Sequence, residues 1–351
     1  MSMETSRRVR SVFIVISLCV LSAGPLAAQE LKFASLGNFR LEDGQVIRNL
    51  KIGYRTFGEL NAQKSNAVLF PTWFTGTTKQ LVDLVGPRKL VDSSKYYFIL
   101  VDALGDGVTS SPSNSKAQPR MQFPKFTIRD MVKSEHALAA RVLGIHHLHA
   151  VIGISMGGMQ TFQWMVSYPT FMDEAIPIVG SPQLTSYDLL LWTAELHAIE
   201  FSKDWDQGNY TSPPVYAMDT VADIHTLNLT TPTYRVTHTT PAEFPKLLAE
   251  TQESTMKSFD ANDWVRQLQA MIADDVAAPF GGSITKAASV VRAKVLVIPS
   301  MQDHMVNPNP ALNFAKLIHA QVFKLTSDCG HLAVGCEQKQ VDQVVNAFLE
   351  K

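Results

Sequence analysis

The stretch His149-Ala-Val-Ile-Gly153-Ile-Ser155-Met-Gly157-Gly158-Met-Gln160 runs from an apolar strand, through Gly-x-Ser-x-Gly, into the start of a helical pattern. Glycines on either side of the serine let the chain turn so tightly that the hydroxyl projects above the sheet. The helix behind it offers free backbone N–H groups. A bare Gly-x-Ser-x-Gly carries little information. One preceded by a strand and followed by a helix is specific, and it marks Ser155 as a candidate nucleophile.

Outward from this turn, apolar runs at 46–54, 67–70, 96–101, 150–153, 175–179, 295–299 and 322–325 read as strands. Helical patterns occupy 128–143, 158–167 and 310–318. Short buried strands alternating with helices predict an α/β fold with a mostly parallel central sheet flanked by helices on both faces. Residues 183–285 break the rhythm, with Trp192, Trp205, Trp264, Pro213-Pro214, Pro232 and Pro241, amphipathic helical patterning and few strand candidates. They predict a helical cap inserted between two core segments, 29–182 and 286–351, although periodicity alone also allows the stretch to be further core.

Composition narrows the function classes. The 351 residues are 46% hydrophobic and 18% charged, which is globular and excludes a disordered or collagen-like chain. Lys and Arg number 31 against 32 Asp and Glu, a formal charge of −1, so there is no basic field to attract a phosphate backbone and nucleic acid is not an expected partner. Neither a P-loop nor Gly-x-Gly-x-x-Gly occurs, and no cofactor is implied.

A serine hydroxyl is a poor nucleophile until a base accepts its proton, so a histidine held in one tautomer by a carboxylate must follow. After the 294–298 run comes Pro299-Ser-Met-Gln-Asp303-His304, and after the next strand Thr326-Ser-Asp328-Cys-Gly330-His331. Both are loops at the C-terminal ends of strands, where parallel sheets carry their chemistry. Asp303 and His331 therefore join Ser155 as catalytic candidates, with Asp328 and His304 as positional competitors. An acyl-transfer site also needs two donors for the developing oxyanion. The Met156 N–H, directly after the serine, is one. The other is expected from Phe70-Pro-Thr-Trp-Phe74-Thr-Gly76-Thr, at the Phe74 N–H, with Gly76 easing the turn. The competing reading is that Trp73 and Phe74 only pack under the cap. His146, His147 and His149 lack ligand pairs at helical spacing, so they read as surface or packing residues and no metal site is assigned.

Several longer matches join these residues: Tyr54-Arg-Thr-Phe-Gly-Glu-Leu-Asn61, Thr75-Gly76, Phe123-Pro with Thr127-Ile-Arg-Asp-Met-Val132, Gly153 to Gln160, Phe259-Asp-Ala-Asn262, Asp303 and Gly330-His331. In these the chain resembles the homoserine O-acetyltransferase family of α/β-hydrolases over nearly its whole mature length. The resemblance implies an α/β-hydrolase fold with a helical cap, a Ser155, Asp303 and His331 triad, ping-pong acyl transfer through an acyl-serine, and a homodimer. The chain departs from biosynthetic members in two places. Thr72-Trp73-Phe74 stands where they have a histidine-containing turn, and Arg235 is the only arginine between Asp219 and Lys257, where they carry an arginine-rich cap segment for the amino-acid carboxylate. The expected function is that of an acyl hydrolase or acyltransferase acting on a small ester or thioester. A homoserine O-acetyltransferase using acetyl-CoA, and an inactive binding protein on the same fold, are the alternatives.

At the N-terminus, Arg7, Arg8 and Arg10 precede an apolar run at 12–21 and the small residues Ser22-Ala23-Gly24 and Ala27-Ala28. This is the layout of a secretory signal peptide over residues 1–28, with an apolar run too short to span a bilayer comfortably. The expected product is secreted or periplasmic, without stable membrane insertion after processing; an uncleaved anchor is the alternative. Removal of that segment leaves Cys329 and Cys336, seven residues apart, in a compartment where disulfides persist. A bridge requires the loop to bring their Cα atoms within about 7 Å, and two free buried thiols are the other outcome.

Overall fold

The computed structural model describes residues 30–350, and the proposed signal peptide lies outside them. Within them, strands β1 (Lys32–Arg40), β2 (Val46–Phe57), β3 (Ala67–Pro71), β4 (Tyr97–Val101), β5 (Leu148–Ile154), β6 (Met172–Ile178), β7 (Lys294–Val297) and β8 (Gln321–Val322) form one sheet. Their spatial order is β1-β2-β4-β3-β5-β6-β7-β8. β2 is antiparallel to both neighbours, and every other pairing is parallel.

Side-chain alternation explains the two layers. On β4, Ile99 and Val101 enter one hydrophobic cluster while Phe98 and Leu100 enter the other. β3 divides in the same way, with Leu69 on one face and Val68 and Phe70 on the other. Strands covered on both faces read as continuous apolar runs, which is why their sequence signal is strong. β1 was not among the expected strands. Its burial alternates and its pairing with β2 is irregular around Gly37, so its sequence carries Ser, Gly and Asn rather than an apolar run.

Helices α1 (Thr78–Leu81), α2 (Ile128–Ala137) and α3 (Met156–Ser167) flank the first half of the sheet. The Thr127–Asp130 capping box starts α2, and the helical pattern expected to 143 finishes as a π-helical turn, Leu138–Val142. Between β6 and β7 the chain forms α4 (Ser186–Glu200), α5 (Val215–Leu229), α6 (Pro232–His238), α7 (Phe244–Ser258), α8 (Ala261–Ile272) and α9 (Ile284–Ser289), and no sheet strand. This is the stretch read as a helical cap. Trp192, Trp205 and Trp264 are buried and belong to the same cluster as the main core, so the insertion is welded to the sheet domain rather than loosely appended. After β7 come α10 (Pro308–Leu317), β8, α11 (Ala333–Cys336) and α12 (Gln338–Leu349). The run read as a strand over 322–325 is mostly a loop, held to the sheet by an isolated bridge between Ser300 and Leu325. Among the described residues no helix is long and apolar enough to cross a membrane.

Candidate active site

Ser155 sits between β5 and α3 with φ 58° and ψ −121°, a left-handed conformation costly for a residue with a side chain. The surroundings impose it. The Ser155 N–H donates to the Ile178 carbonyl at 2.9 Å, and the Ser155 carbonyl accepts from the Met159 N–H at 3.0 Å. The neighbouring glycines serve close approach rather than left-handed geometry. A Cβ on Gly153 would lie 2.0 Å from the Gly157 oxygen, and one on Gly157 would lie 2.8 Å from the Pro71 oxygen.

The structure brings together the three side chains singled out by chain order. The Ser155 hydroxyl lies 2.8 Å from His331 Nε2, and His331 Nδ1 lies 2.7 Å from Asp303 Oδ2. The other Asp303 oxygen accepts the N–H groups of Met305 and Val306 at 2.8 and 2.9 Å. An ionised carboxylate only accepts, so Nδ1–H donates to Asp303 and the Nε2 lone pair is left for the serine proton. Asp328 and His304 take no part in this chain. The Asp328 carbonyl instead accepts the hydroxyl of Thr231, just before α6, at 2.6 Å.

Several contacts hold the turn that carries His331. Gly330 has φ +65°, and a Cβ there would press on Thr230 at 3.1 Å. Its carbonyl accepts the Ser300 hydroxyl at 2.7 Å. Cys329 and Cys336 are bridged with Cα atoms 6.6 Å apart, so the loop does fold back and the disulfide brackets the histidine.

On the opposite side of the serine, the β3 loop is fixed by two glutamines that sequence reasoning did not assign. Gln160 of α3 donates to the Thr72 carbonyl at 3.0 Å. Gln267 of α8 accepts the Thr75 N–H at 3.1 Å and donates to the Leu104 carbonyl at 3.1 Å. Among the described residues, the N–H groups of Met156 and Phe74 have no protein acceptor, leaving both available for a ligand oxygen. The Phe74 ring does pack under the insertion, 5.0 Å from Trp264 and 6.1 Å from Trp192. Ring packing and a free amide thus coexist. The left-handed residue of this turn is Thr75, φ 60°, and not Gly76. Gly76 is required because the Trp73 indole lies where its Cβ would be, 2.5 Å away.

These groups open on a cavity of about 510 Å³ whose surface is mainly apolar. Ser155, His331, Phe74 and Thr75 line it from the sheet side, while Trp192 of α4, His225 and Leu229 of α5 and Tyr234 of α6 line it from the insertion. Behind His225, Glu195 Oε1 lies 3.1 Å from its Nδ1. This pair comes from two helices thirty residues apart in sequence, with no local spacing to reveal it. The histidines near β5 lie elsewhere: His147 pairs with Asp173 at 2.9 Å, and His149 stacks on Tyr96 and contacts the Leu349 carbonyl. No group of three or more His, Cys, Asp or Glu among the described residues is arranged to hold a metal ion.

A mostly parallel sheet, a left-handed serine between strand and helix, and a histidine and aspartate on later strand loops define an α/β-hydrolase. The alpha/beta hydrolase fold family matches residues 86–335, and the chain belongs to it as a homoserine O-acetyltransferase-like member. It is 31% identical over 322 residues to an ethyl acetate hydrolase of Pseudomonas veronii, covering 88% of this chain and 92% of that one. It is 29% identical over 360 residues to a homoserine O-acetyltransferase of Methanococcoides burtonii, covering 89% of this chain and 72% of that protein. Among solved structures, an acetylester hydrolase from Corynebacterium glutamicum superposes with a TM-score of 0.86 at 26% identity, covering 92% of this chain and 96% of that one. Relatives of both kinds support an enzyme that is an acyl hydrolase or acyltransferase acting on small acyl substrates.

Proposed function

We propose that this chain is an exported serine ester hydrolase acting on short acyl esters through an acyl-serine. Ser155 Oγ attacks the ester carbonyl while His331 Nε2 takes its proton, and Asp303 holds the opposite N–H and balances the imidazolium. The tetrahedral oxyanion accepts the Met156 and Phe74 N–H groups. His331 returns its proton to the departing alkoxide, which leaves as the alcohol. A water molecule, deprotonated by the same nitrogen, then attacks the acyl-serine and releases the carboxylic acid. Ser155 is regenerated as its Oγ leaves and takes that proton back from His331.

The observation that carries this reading is the unbroken Ser155–His331–Asp303 hydrogen-bond chain opening on an apolar cavity. Hydrolysis is favoured over transfer to homoserine by the cavity lining, which among the described residues contains neither arginine nor lysine to meet an amino-acid carboxylate. Arg235 instead bonds within the insertion, to Thr239 at 3.2 Å and Thr230 at 3.5 Å. The N-terminal order of basic, apolar and small segments supports export, away from cytosolic acetyl-CoA.

The test is turnover of ethyl acetate and longer acyl esters by the mature protein, with and without homoserine, alongside acetyl-CoA as donor. Acid release from the short esters at a rate indifferent to homoserine is expected. Formation of O-acetylhomoserine from acetyl-CoA as the dominant reaction would overturn the hydrolase reading.

A further inference from the structure

The hydrolytic mechanism uses one histidine–carboxylate pair, yet a second pair faces the same cavity. His225 of α5 lines it, and Nδ1 lies 3.1 Å from Oε1 of Glu195, a residue of α4 with 0% exposure. The other oxygen, Glu195 Oε2, is buried with no hydrogen-bond partner among the described residues. His225 Nε2 likewise has no protein partner among the described residues, and the residue lines the cavity.

Packing alone does not account for this arrangement. The His225 ring sits among Phe74, Trp192 and Trp264, at centroid distances of 5.8, 6.4 and 5.3 Å. A phenylalanine would serve such an aromatic cluster without burying a half-satisfied carboxylate, which costs free energy wherever its hydrogen bonds are incomplete. The carboxylate does one thing a hydrophobe cannot. It holds a proton on Nδ1 and so fixes which nitrogen, Nε2, is presented to a ligand.

We propose that His225, oriented by Glu195, is a specificity-determining residue that holds a hydroxyl group of the substrate. This rests on the ester-hydrolase reading above. The class of ligand follows from charge. A carboxylate beside a neutral imidazole makes the pair net negative and disfavours an anion, and beside an imidazolium it cancels the charge and weakens the pull on one. Cations would have to shed their hydration into a mainly apolar cavity. A hydroxyl suits both states, donating to an Nε2 lone pair or accepting an Nε2–H. The preferred substrates are therefore esters bearing a free hydroxyl in addition to the ester oxygen, on either the alcohol or the acyl side.

The experiment compares kcat/KM for nearly isosteric pairs: 2-hydroxyethyl acetate with propyl acetate for the alcohol side, and ethyl 3-hydroxypropanoate with ethyl butanoate for the acyl side. In the wild type one pair favours the hydroxylated ester by about tenfold or more, because a site built around a hydrogen bond discriminates against the analogue that lacks it. In His225→Phe that ratio falls to about one. Glu195→Leu behaves similarly, whereas Glu195→Gln, whose amide oxygen still accepts Nδ1–H, retains the preference. Fluorophosphonate labelling of Ser155 checks that each variant is folded. A wild-type ratio near one for both pairs overturns the proposal whether or not the variants fold. So does a His225→Phe variant that loses both members of a pair by the same factor. Wild-type protein that cleaves none of the four esters would remove the hydrolase reading as well, which separates that failure from failure of the histidine's role alone.

Discussion

The cavity is closed by two regions that each contribute a histidine–carboxylate pair, and the pairs are built differently. On the sheet side, Asp303 is fully engaged, with one oxygen on His331 and the other taking two backbone N–H groups. On the helical side, Glu195 holds His225 through one oxygen, and the other has no hydrogen-bond partner among the described residues. The first pair is fixed by strand-end loops whose backbone supplies most of the bonds. The second depends on side chains from two helices. Bond making thus falls to the strand-end loops, and the proposed hydroxyl recognition to the insertion.

The sharpest way to break this contrast is at the sheet pair. Asp303→Asn should lower kcat for ester hydrolysis by about 10⁴-fold, because an amide cannot hold the productive tautomer and stabilise its charged form. A loss of less than tenfold would mean that His331 does not depend on Asp303.

A carboxyl in the same core tests burial without chemistry. Glu135 is fully buried, and desolvation, only partly offset by the Trp164 indole N–H, raises its pKa from 4.5 to about 8. Between those values the unfolded chain is ionised at this residue while the folded chain keeps the proton, so stability is lost as pH rises. Roughly 3 kcal/mol of this contribution should disappear between pH 5 and pH 8, and Glu135→Gln should flatten that slope in urea denaturation. Ester hydrolysis at fixed pH should be little changed, since Glu135 does not line the cavity.

The disulfide links the two issues of stability and geometry. Opening the Cys329–Cys336 loop with Cys336→Ser should cost about 2.5 kcal/mol of stability by the loop-closure relation, visible as a lower Tm. Hydrolysis should fall with it, because His331 lies inside the loop. The smallest effect is expected in the insertion, at Arg235→Ala, which should change kcat/KM for ethyl acetate by less than about twofold because its bonds are to Thr230 and Thr239. A large loss there would give the helical region an electrostatic role in catalysis.

Legibility in the sequence follows the same division. Ser155, Asp303 and His331 each stand in a short local pattern beside an apolar strand, which made them candidates with Asp328 and His304 as competitors, and the structure brings these three together. The parallel strands were legible because burial on both faces makes them continuous apolar runs. β1 was not, since one exposed face and an irregular register dilute its pattern. Gly76 was assigned to turn geometry, but its constraint is the Trp73 ring, a tertiary contact invisible in the local sequence. The Glu195–His225 pair was missed for the same reason, because helix pairing across a long insertion leaves no fixed spacing.

The most direct test of the central claim is reaction of the wild-type protein with a fluorophosphonate, followed by peptide mass mapping. One adduct per chain is expected, on the peptide containing Ser155, and none in Ser155→Ala. A folded wild-type chain that stays unmodified, or an adduct that persists in Ser155→Ala, would contradict the claim.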